Sequence, residues 1–577
     1  MKEIDIKQLI ESKAPEFFEK KPAFVNKFIL FALTKLLKLK EINEFIRNNQ
    51  NNIGLDFINS LFDTLGFSYK ISDRDKNKIP SEGRLVIVSN HPLGGLDGLA
   101  LVKAIREVRP DARIVANDLL MKVENLSDVF LPLDIYSISS QRTQIATIEQ
   151  ALLNEEAVII FPSGKVSRLS FKGIRDRKWL NGATKFSTKT SAPILPIFIK
   201  GRNSLLFYFS ALINDKLGML MLPGELFRHR RKAITILVGE IIPSKLFNVL
   251  KPKVLAKLLL QHTYKLGAGK VGNFKTDKTV IHPVEQSLVE KELKESELLG
   301  STFDDKRIYL VDYSKAQNVM KEISRLRELT FRKVGEGTGK ICDIDIYDFF
   351  YKHIILWDDE HLDIVGSYRL GIGSEIIHKF DKRGLYNSSL FSLNEGTDTF
   401  LSQSIEVGRS FIQQKYWNSN ALDLIWQGMV AFIIRNPEIR YAWGAVSISD
   451  SYSGFAKALI ISYYKKWYGG NTEWATPIYE YDISDNIMKE VEAILTADNY
   501  IDDLKNLKEA LRIMNLSVPI LLRRYTELCE YGGATIINWC VNVNFNNSVD
   551  GLIVLDLTMM KEDAKKRLYN QKSFVNK

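Results

Sequence analysis

Along residues 1–70 the apolar positions fall three and four apart, the spacing of one helix face. Three segments carry the pattern: IKQLIESK, VNKFILFALTKLLKL and LDFINSLFDTLGF. The rhythm then changes. RLVIVSN, ARIVAN, AVIIFP and APILPIFIKG are short apolar runs of strand length, and the helical stretches LDGLALVKAIREV and TQIATIEQALLNEE separate the first three. Strands alternating with helices predict an α/β layer with parallel strand pairs.

The alternation breaks at Gly267–Gly300, which is polar and glycine-containing and then densely charged. Such a stretch reads as a linker running into a charged helix. Beyond it come the strand-like RIYLVDY, IVGSYRLG and SIEVGRSFI and the helical AQNVMKEISRLRELTFRKV and ALDLIWQGMVAFIIR. A length of 577 residues suits two large domains. The pattern predicts a helical, membrane-associated region over 1–70, an α/β domain over 71–270, a linker over 271–304 and a second α/β domain over 305–577.

Hydrophobic residues make up 45% of the chain and charged residues 26%, enough for sizeable cores and against extended disorder. The formal net charge of +10 favours anionic partners. The basic residues are dispersed apart from short clusters such as Arg228, Arg230, Arg231 and Lys232. No zinc finger, RNA-binding signature or long basic arm is visible, so nucleic acid is not an expected partner. Cys342, Cys529 and Cys540 are few, odd in number and without CxxC spacing, which fits a reducing compartment rather than a disulfide framework. The N-terminal segment shows no secretory h-region, and no run of about 20 apolar residues offers a transmembrane helix. Ala23–Leu39 and Ser204–Phe227 mix apolar residues with cations. That suits either an interfacial helix on anionic lipid or a buried core helix.

The richest stretch for chemistry is SNHPLGGLDG, Ser89–Gly98. His91 follows a predicted strand directly, where α/β sheets place active sites. Asp97, opening the next helix, can hold one imidazole nitrogen and leave the other as general base. The plainer reading is a loop histidine with Asp97 as N-cap. VIIFPSGKVSR, Val158–Arg168, again runs strand, turn, hydroxyls and cations, and its loop can offer backbone N–H groups, Ser163 and a cation to an anionic head group. APILPIFIKG follows.

These three blocks, in this order, resemble the glycerophosphate and lysophosphatidate acyltransferases, the PlsC-like family, over roughly residues 75–205. The resemblance implies that His91 deprotonates an acceptor hydroxyl, that Asp97 orients His91, and that Ser163, Gly164, Lys165 and Arg168 bind the acceptor head group. Two departures stand out. Five residues separate His91 from Asp97, where the family has four, and Ser163 replaces the usual glutamate. The second departure favours a hydroxyl-bearing lipid other than a glycerol phosphate.

In the second half, SRLRELTFRKV carries Arg327 and Phe331 one turn apart, and DIDIYD groups Asp343, Asp345 and Asp348. Arg369 lies on IVGSYRLG, and Glu406 and Arg409 lie on SIEVGRS. No histidine completes a familiar metal-ligand set around the three aspartates, so no metal is expected. The set resembles the acyl-homoserine-lactone synthases and the hemolysin-like ornithine N-acyltransferases, both of the GNAT fold, over roughly residues 305–555. The resemblance implies amide formation. Glu406 would serve as base, Asp345 and Asp348 would receive ammonium groups, Arg369 or Arg409 would pair with a carboxylate, and Arg327 and Phe331 would complete the substrate site.

Together the two resemblances imply a bifunctional ornithine-lipid-type synthase. Its C-terminal half would N-acylate an amino acid with a 3-hydroxyacyl chain, and its N-terminal half would O-acylate the resulting hydroxyl. The amino acid expected is ornithine, with lysine and glycine also open. The donor expected is acyl carrier protein, or acyl-CoA, with no covalently bound cofactor. The partners are an anionic membrane surface and the lyso-lipid, at the cytoplasmic side of a bacterial inner membrane. Two alternatives stand beside this reading: a 1-acylglycerol-3-phosphate O-acyltransferase with a non-catalytic C-terminal module, and a hemolysin-like membrane-active protein.

Overall fold

The computed structural model describes residues 22–36, 38–116, 123–133, 138–213, 215–248 and 250–569. The predicted helix IKQLIESK lies outside them. The chain forms two compact α/β units, Met1–His282 and Pro283–Lys577.

The strands of the first unit are β1 (Ser68–Lys70), β2 (Leu85–Ser89), β3 (Arg113–Ala116), β4 (Phe130–Pro132), β5 (Ala157–Ile160), the small hairpin β6 (Arg168–Ser170) and β7 (Gly173–Arg175), β8 (Ile194–Lys200) and β9 (Ala233–Val238). Without the hairpin they make a seven-stranded sheet ordered β1-β9-β8-β2-β5-β3-β4. Every pairing in it is parallel except β8 with β9. A strand covered on both faces must be apolar at every position, and LVIVS and AVII are buried throughout. Ile87, Ile159 and Leu195 pack on one face with helix α1 (Gly95–Arg106), while Val86, Val158 and Ile194 pack on the other. Because β2 and β5 are parallel neighbours, Leu85 facing Ala157 through Val88 facing Ile160, their carboxyl ends open onto the same edge. The sequence pattern predicted this layer but not β9 or the short β1 and β4.

After β8 the chain folds into a helical hairpin, α2 (Leu205–Ile213) and α3 (Asp215–Arg228). A Cβ on Gly218 would lie 2.7 Å from that of Ala211, so a glycine there lets the two helices touch. The hairpin buries Phe207, Tyr208 and Ala211 and leaves Leu205, Leu206, Phe209, Leu212 and Ile213 exposed. Among the described residues no helix is long and apolar enough to cross a membrane.

The predicted linker, 271–304, holds the boundary between the two units, at His282–Pro283. Asp277 bridges to Ile241, the Thr279 hydroxyl donates to the Lys78 carbonyl at 2.6 Å, and a His282 ring nitrogen lies 3.0 Å from the Ile79 carbonyl. These contacts bind that part of 271–304 to the first unit. Val289 and Leu293, on the following helix Gln286–Lys294, pack into the second.

The second unit begins with β10 (Glu297–Ser301), β11 (Arg307–Asp312), helix α4 (Gln317–Lys333), β12 (Lys352–Asp358), β13 (Asp363–Ile372), the short β14 (Phe391–Leu393) and β15 (Ser404–Ile412). It continues through α5 (Ala421–Arg435), β16 (Tyr441–Ile448), α6 (Gly454–Tyr468), the short β17 (Ala475–Pro477), β18 (Ala534–Asn542) and β19 (Ser548–Asp556). Eight strands form one sheet, β10-β11-β12-β13-β15-β16-β19-β18. Helices α5 and α6 cover one face through Ile308, Ile354, Val407 and Ile448. The other face carries two separate apolar clusters, one under α4 with Tyr309, Ile355 and Phe331, the other around Tyr351, Trp443 and Val554.

The only parallel pair in this sheet, β15 with β16, spans just Ser404–Glu406 against Tyr441–Trp443. There the strands part. On its other side β15 carries a bulge, because Ser367 faces Phe411 while Arg369 faces Gly408, which leaves Tyr368 opposite both Arg409 and Ser410. Arg409 adopts φ +49°, a left-handed conformation costly for a side-chain-bearing residue. The bulge bends β15 away from β16 and opens the sheet.

Candidate active sites

The first site forms where β2 ends. Asn90 clamps the turn to β8, giving Nδ2–H to the Ile199 carbonyl at 2.9 Å and taking the Ile199 N–H at 2.7 Å. His91 follows, half-buried. Its Nδ1 lies 3.2 Å from Asp97 Oδ1, an ion-pair distance, although the two are not aligned for a linear hydrogen bond. Asp97 is fully buried in the first turn of α1, where Oδ2 accepts the Leu93 N–H and Oδ1 the Gly98 N–H. Gly94, not Asp97, is the N-cap. Between His91 and Asp97, Gly94 adopts φ +97°, and a Cβ there would lie 3.1 Å from Leu222.

Phe161, at the end of β5, stacks on the imidazole with centroids 4.2 Å apart. Burial pulls the His91 pKa down, but the carboxylates of Asp97 and Asp176 outweigh it and hold the ring above its ordinary value. Among the described residues no protein group holds Nε2, so that nitrogen is free to meet a hydroxyl.

Asp176 escaped sequence reasoning. Its Oδ1 takes the His91 N–H at 3.3 Å and the Ser167 hydroxyl at 2.5 Å, and its Oδ2 takes the Trp179 indole N–H at 2.8 Å. Ser167 N–H in turn donates to the His91 carbonyl at 2.7 Å. The first and second blocks are thereby sewn together. The only hint in the chain was a carboxylate flanked by cations in GIRDRKW.

The predicted head-group residues differ in exposure. Gly164, at φ +59°, and Lys165 lie at the surface, and the Ser163 hydroxyl is used in the turn itself, donating to the Lys165 carbonyl at 2.7 Å. Arg168 turns inward. It is 5% exposed, donates to the Val166 carbonyl and sits 5.1 Å over the Phe207 ring.

The second site is a polar band between the two apolar clusters of the second unit. Arg327, 1% exposed, gives two N–H groups to Asp348, at 3.0 and 2.9 Å, and one to the Asp343 carbonyl. Arg369 donates to Asp345 at 2.6 Å and to Asp348 at 3.2 Å. Arg409 lies 3.1 Å from Asp343, and donates to the Tyr386 hydroxyl at 3.1 Å and to Asp345 at 3.4 Å. Asp345 and Asp348 also cap the short helix Ile346–Phe349 reciprocally. Three arginines and three aspartates therefore balance. Burial opposes ionisation of Asp348, but Arg327 and Arg369 win and hold it well below the usual carboxylate range. His353 beside it is pushed down to about 4, chiefly by burial. Phe331 meets the Phe545 ring edge-on at 5.0 Å, and Arg409 lies over that ring.

Glu406 is sealed beside this band at 1% exposure. Its oxygens accept the Tyr351 hydroxyl, the N–H groups of Tyr386 and Asn387, and the Asn387 side-chain amide. Burial raises its pKa despite those donors. The structure thus gathers the C-terminal residues singled out in the sequence and bonds most of them to one another. Asp345 and Asp348 already hold arginines and Arg369 holds aspartates. Arg409 is paired, and Glu406 has no oxygen left for an amine. Tyr351, Tyr386 and Asn387 were not foreseen, because they reach Glu406 from distant parts of the chain. At one surface turn, ligand atoms of Asp358, Glu360 and His361 lie within 4.8 Å of one another, but Asp358 there accepts the backbone N–H groups of the other two and closes the turn.

The family model described as Acyltransferase matches residues 8–251, and that described as Acetyltransferase (GNAT) domain matches residues 326–427. A glycine N(alpha)-acyltransferase of Phocaeicola vulgatus is 30% identical over 311 residues, covering 51% of this chain and 93% of that protein. The chain belongs to the acyltransferases of amino-acid lipids. A lyso-glycine lipid O-acyltransferase of the same organism is 30% identical over 271 residues, covering 46% of this chain and 95% of that one. Among solved structures, the CoA-dependent acyl-homoserine lactone synthase MesI aligns at 12% identity with a TM-score of 0.22, over 46% of this chain and 96% of that one. As an amino-acid lipid acyltransferase, the chain unites an α/β acyltransferase unit with a GNAT unit. The ornithine of the sequence reading is not carried by these relatives.

Proposed function

We propose that this chain makes a glycine lipid in two steps. The second unit joins a 3-hydroxyacyl chain to the glycine amine, and the first unit then esterifies the hydroxyl of that product. The observation that carries the reading is the presence, in one chain, of similarity to both a glycine N-acyltransferase and a lyso-glycine lipid O-acyltransferase. Glycine is preferred to ornithine because the carboxylates expected to hold a second ammonium are already paired with Arg327, Arg369 and Arg409. Joining both centres keeps a poorly soluble intermediate at high effective concentration.

In the O-acyl step, Nε2 of His91 takes the hydroxyl proton as the oxygen attacks the acyl thioester. The ester C–O bond forms, the C–S bond breaks, and the proton passes to the departing thiolate. Asp97 stabilises the imidazolium between these events. The donor is acyl carrier protein, a small acidic partner for a chain of net charge +10, with acyl-CoA as the alternative.

The first unit would sit on the cytoplasmic face of a bacterial inner membrane. The exposed apolar side chains of α2 support this, with Arg228 and Arg230–Lys232 at the hairpin's end. Asn203, at the foot of the hairpin, donates to the Pro92 carbonyl at 3.2 Å, so the apolar face stands next to the His91 turn.

The test is lipid mass spectrometry on a host expressing this chain alone. A new lipid with amide- and ester-linked chains on glycine is expected. An ornithine or lysine head group would move the substrate, and diacylglycerol phosphate without any amino-acid lipid would sink the reading.

A further inference from the structure

Two hairpins adjoin the His91 turn and share one small core. One is β6–β7, with Phe171 and Lys172 at its tip, and the other is α2–α3. Val166, Phe207, Tyr208 and Met221 are buried together, and Ile174 and Leu222 pack against them. Arg168 of β6 holds its guanidinium 5.1 Å over the Phe207 ring of α2. The two hairpins therefore form one packed wedge. Both of its roots are tied to the first site, because Ser167 N–H donates to the His91 carbonyl at 2.7 Å and Asn203 Nδ2 to the Pro92 carbonyl at 3.2 Å.

The outside of this wedge is apolar. Phe171 stands wholly exposed between β6 and β7, close to the exposed Leu169. On α2 the side away from Phe207, Tyr208 and Ala211 exposes Leu206, Phe209 and Ile213, which recur three and four residues apart. Single apolar side chains are common at a surface, but a run of them on adjoining elements marks a contact with something apolar.

The charge around it has one sign. Residues 157–232 hold fifteen lysines and arginines against three acids, Asp176, Asp215 and Glu225. Asp176 and Glu225 are buried. At the tip, the exposed Lys172 follows Phe171. At the foot of α2 stands the exposed Arg202, and Arg228 returns there from the end of α3, its Nη1 donating to the Ser204 hydroxyl at 2.8 Å. Charges of both signs would suit a protein partner, whereas cations bordering an apolar strip suit lipid phosphates above acyl chains.

We infer that this wedge is the face on which the chain docks to an anionic bilayer. Phe171 and the apolar side of α2 enter the acyl region, and the bordering cations meet the phosphates. The inference deepens the proposed membrane placement and rests on the lyso-lipid reading of the first site. It also names the source of the acceptor: the lyso-lipid keeps its chain among the membrane lipids while its hydroxyl reaches Nε2 of His91.

The experiment sediments the full chain with vesicles of phosphatidylcholine, with and without phosphatidylglycerol. The parent should bind the phosphatidylglycerol vesicles about tenfold or more tightly than the others, an advantage that sodium chloride reduces. Phe171→Ser together with Phe209→Ser should weaken that binding by about tenfold or more. Thermal unfolding should stay where it is, since both rings already face solvent. Phe303→Ser, which removes an exposed ring from the second unit, should leave vesicle binding unchanged. A parent that stays in solution with both vesicles overturns the docking face, as does undiminished binding by the double variant or an equal loss from Phe303→Ser. Should the double variant unfold, Lys172→Glu with Arg202→Glu decides. Binding to phosphatidylglycerol vesicles must then fall by about tenfold or more, and unchanged binding overturns the proposal. A parent that binds these vesicles yet esterifies no lyso-lipid dispersed in them would instead sink the O-acyl reading.

Discussion

The two polar sites use charge in opposite ways. In the first unit a single imidazole stands at a strand end with one nitrogen turned to a buried carboxylate and the other open. In the second, six charged side chains within the sheet face are bonded to one another, and a seventh, Glu406, is surrounded by donors. The first arrangement keeps a reactive group available, and the second builds a rigid wall beside the gap between β15 and β16. Charged motif residues are thus left partly open in one unit and paired off in the other. A buried ion pair contributes little over apolar packing, but removing one partner is costly because the other is left unpaired.

The sharpest break between the two should come from His91→Ala. Removing the base is expected to lower O-acylation by about 10²–10⁴-fold while N-acylation continues, so the monoacylated lipid accumulates in extracts. Undiminished diacyl product would end the distinction drawn for the first site. Next in size, Arg327→Ala leaves Asp348 buried without its two-pronged partner. Unfolding of the second unit, followed by denaturant titration, should become easier by about 3–5 kcal/mol. A smaller effect is expected of Glu406→Gln, roughly 1–3 kcal/mol, since an amide group would then face donors with a donor of its own. Turnover per folded molecule should survive that change, and its collapse would restore Glu406 as a base.

The smallest effect is a shift in a pH profile. His91 must be neutral to accept a proton, and the nearby carboxylates hold its pKa above the ordinary 6.5. The O-acyl rate should accordingly fall as pH drops through a value above 6.5. Asp97→Asn removes one of those carboxylates and should move that limb to lower pH. A limb that stays put would detach Asp97 from the imidazole.

The fold of the first unit could be read from the chain because each central strand is apolar at every position and each helix between them is regular. The apolar runs 85–89, 157–160 and 194–200 became β2, β5 and β8, and their parallel order brought His91 and Phe161 together. In the second unit α4, β13, β15 and α5 were equally visible. What local spacing could not supply was partnership. Arg327 and Asp348 are 21 residues apart, and Arg409 and Asp345 are 64 apart, so nothing nearby in the chain says that each neutralises the other. Asp176, Tyr351 and Asn387 are silent for the same reason: each matters through a contact made only after the sheets assemble.

The balanced band of the second unit has one more consequence, for ionic strength. Mobile ions screen exposed charges within about 8–10 Å at physiological salt, but they screen a largely buried cluster of three aspartates and three arginines far less. Sodium chloride should weaken whatever the protein's net positive exterior attracts, while leaving the cluster intact. A falling rate at saturating donor would mean damage inside, and a rising KM for the donor alone would mean a slower encounter.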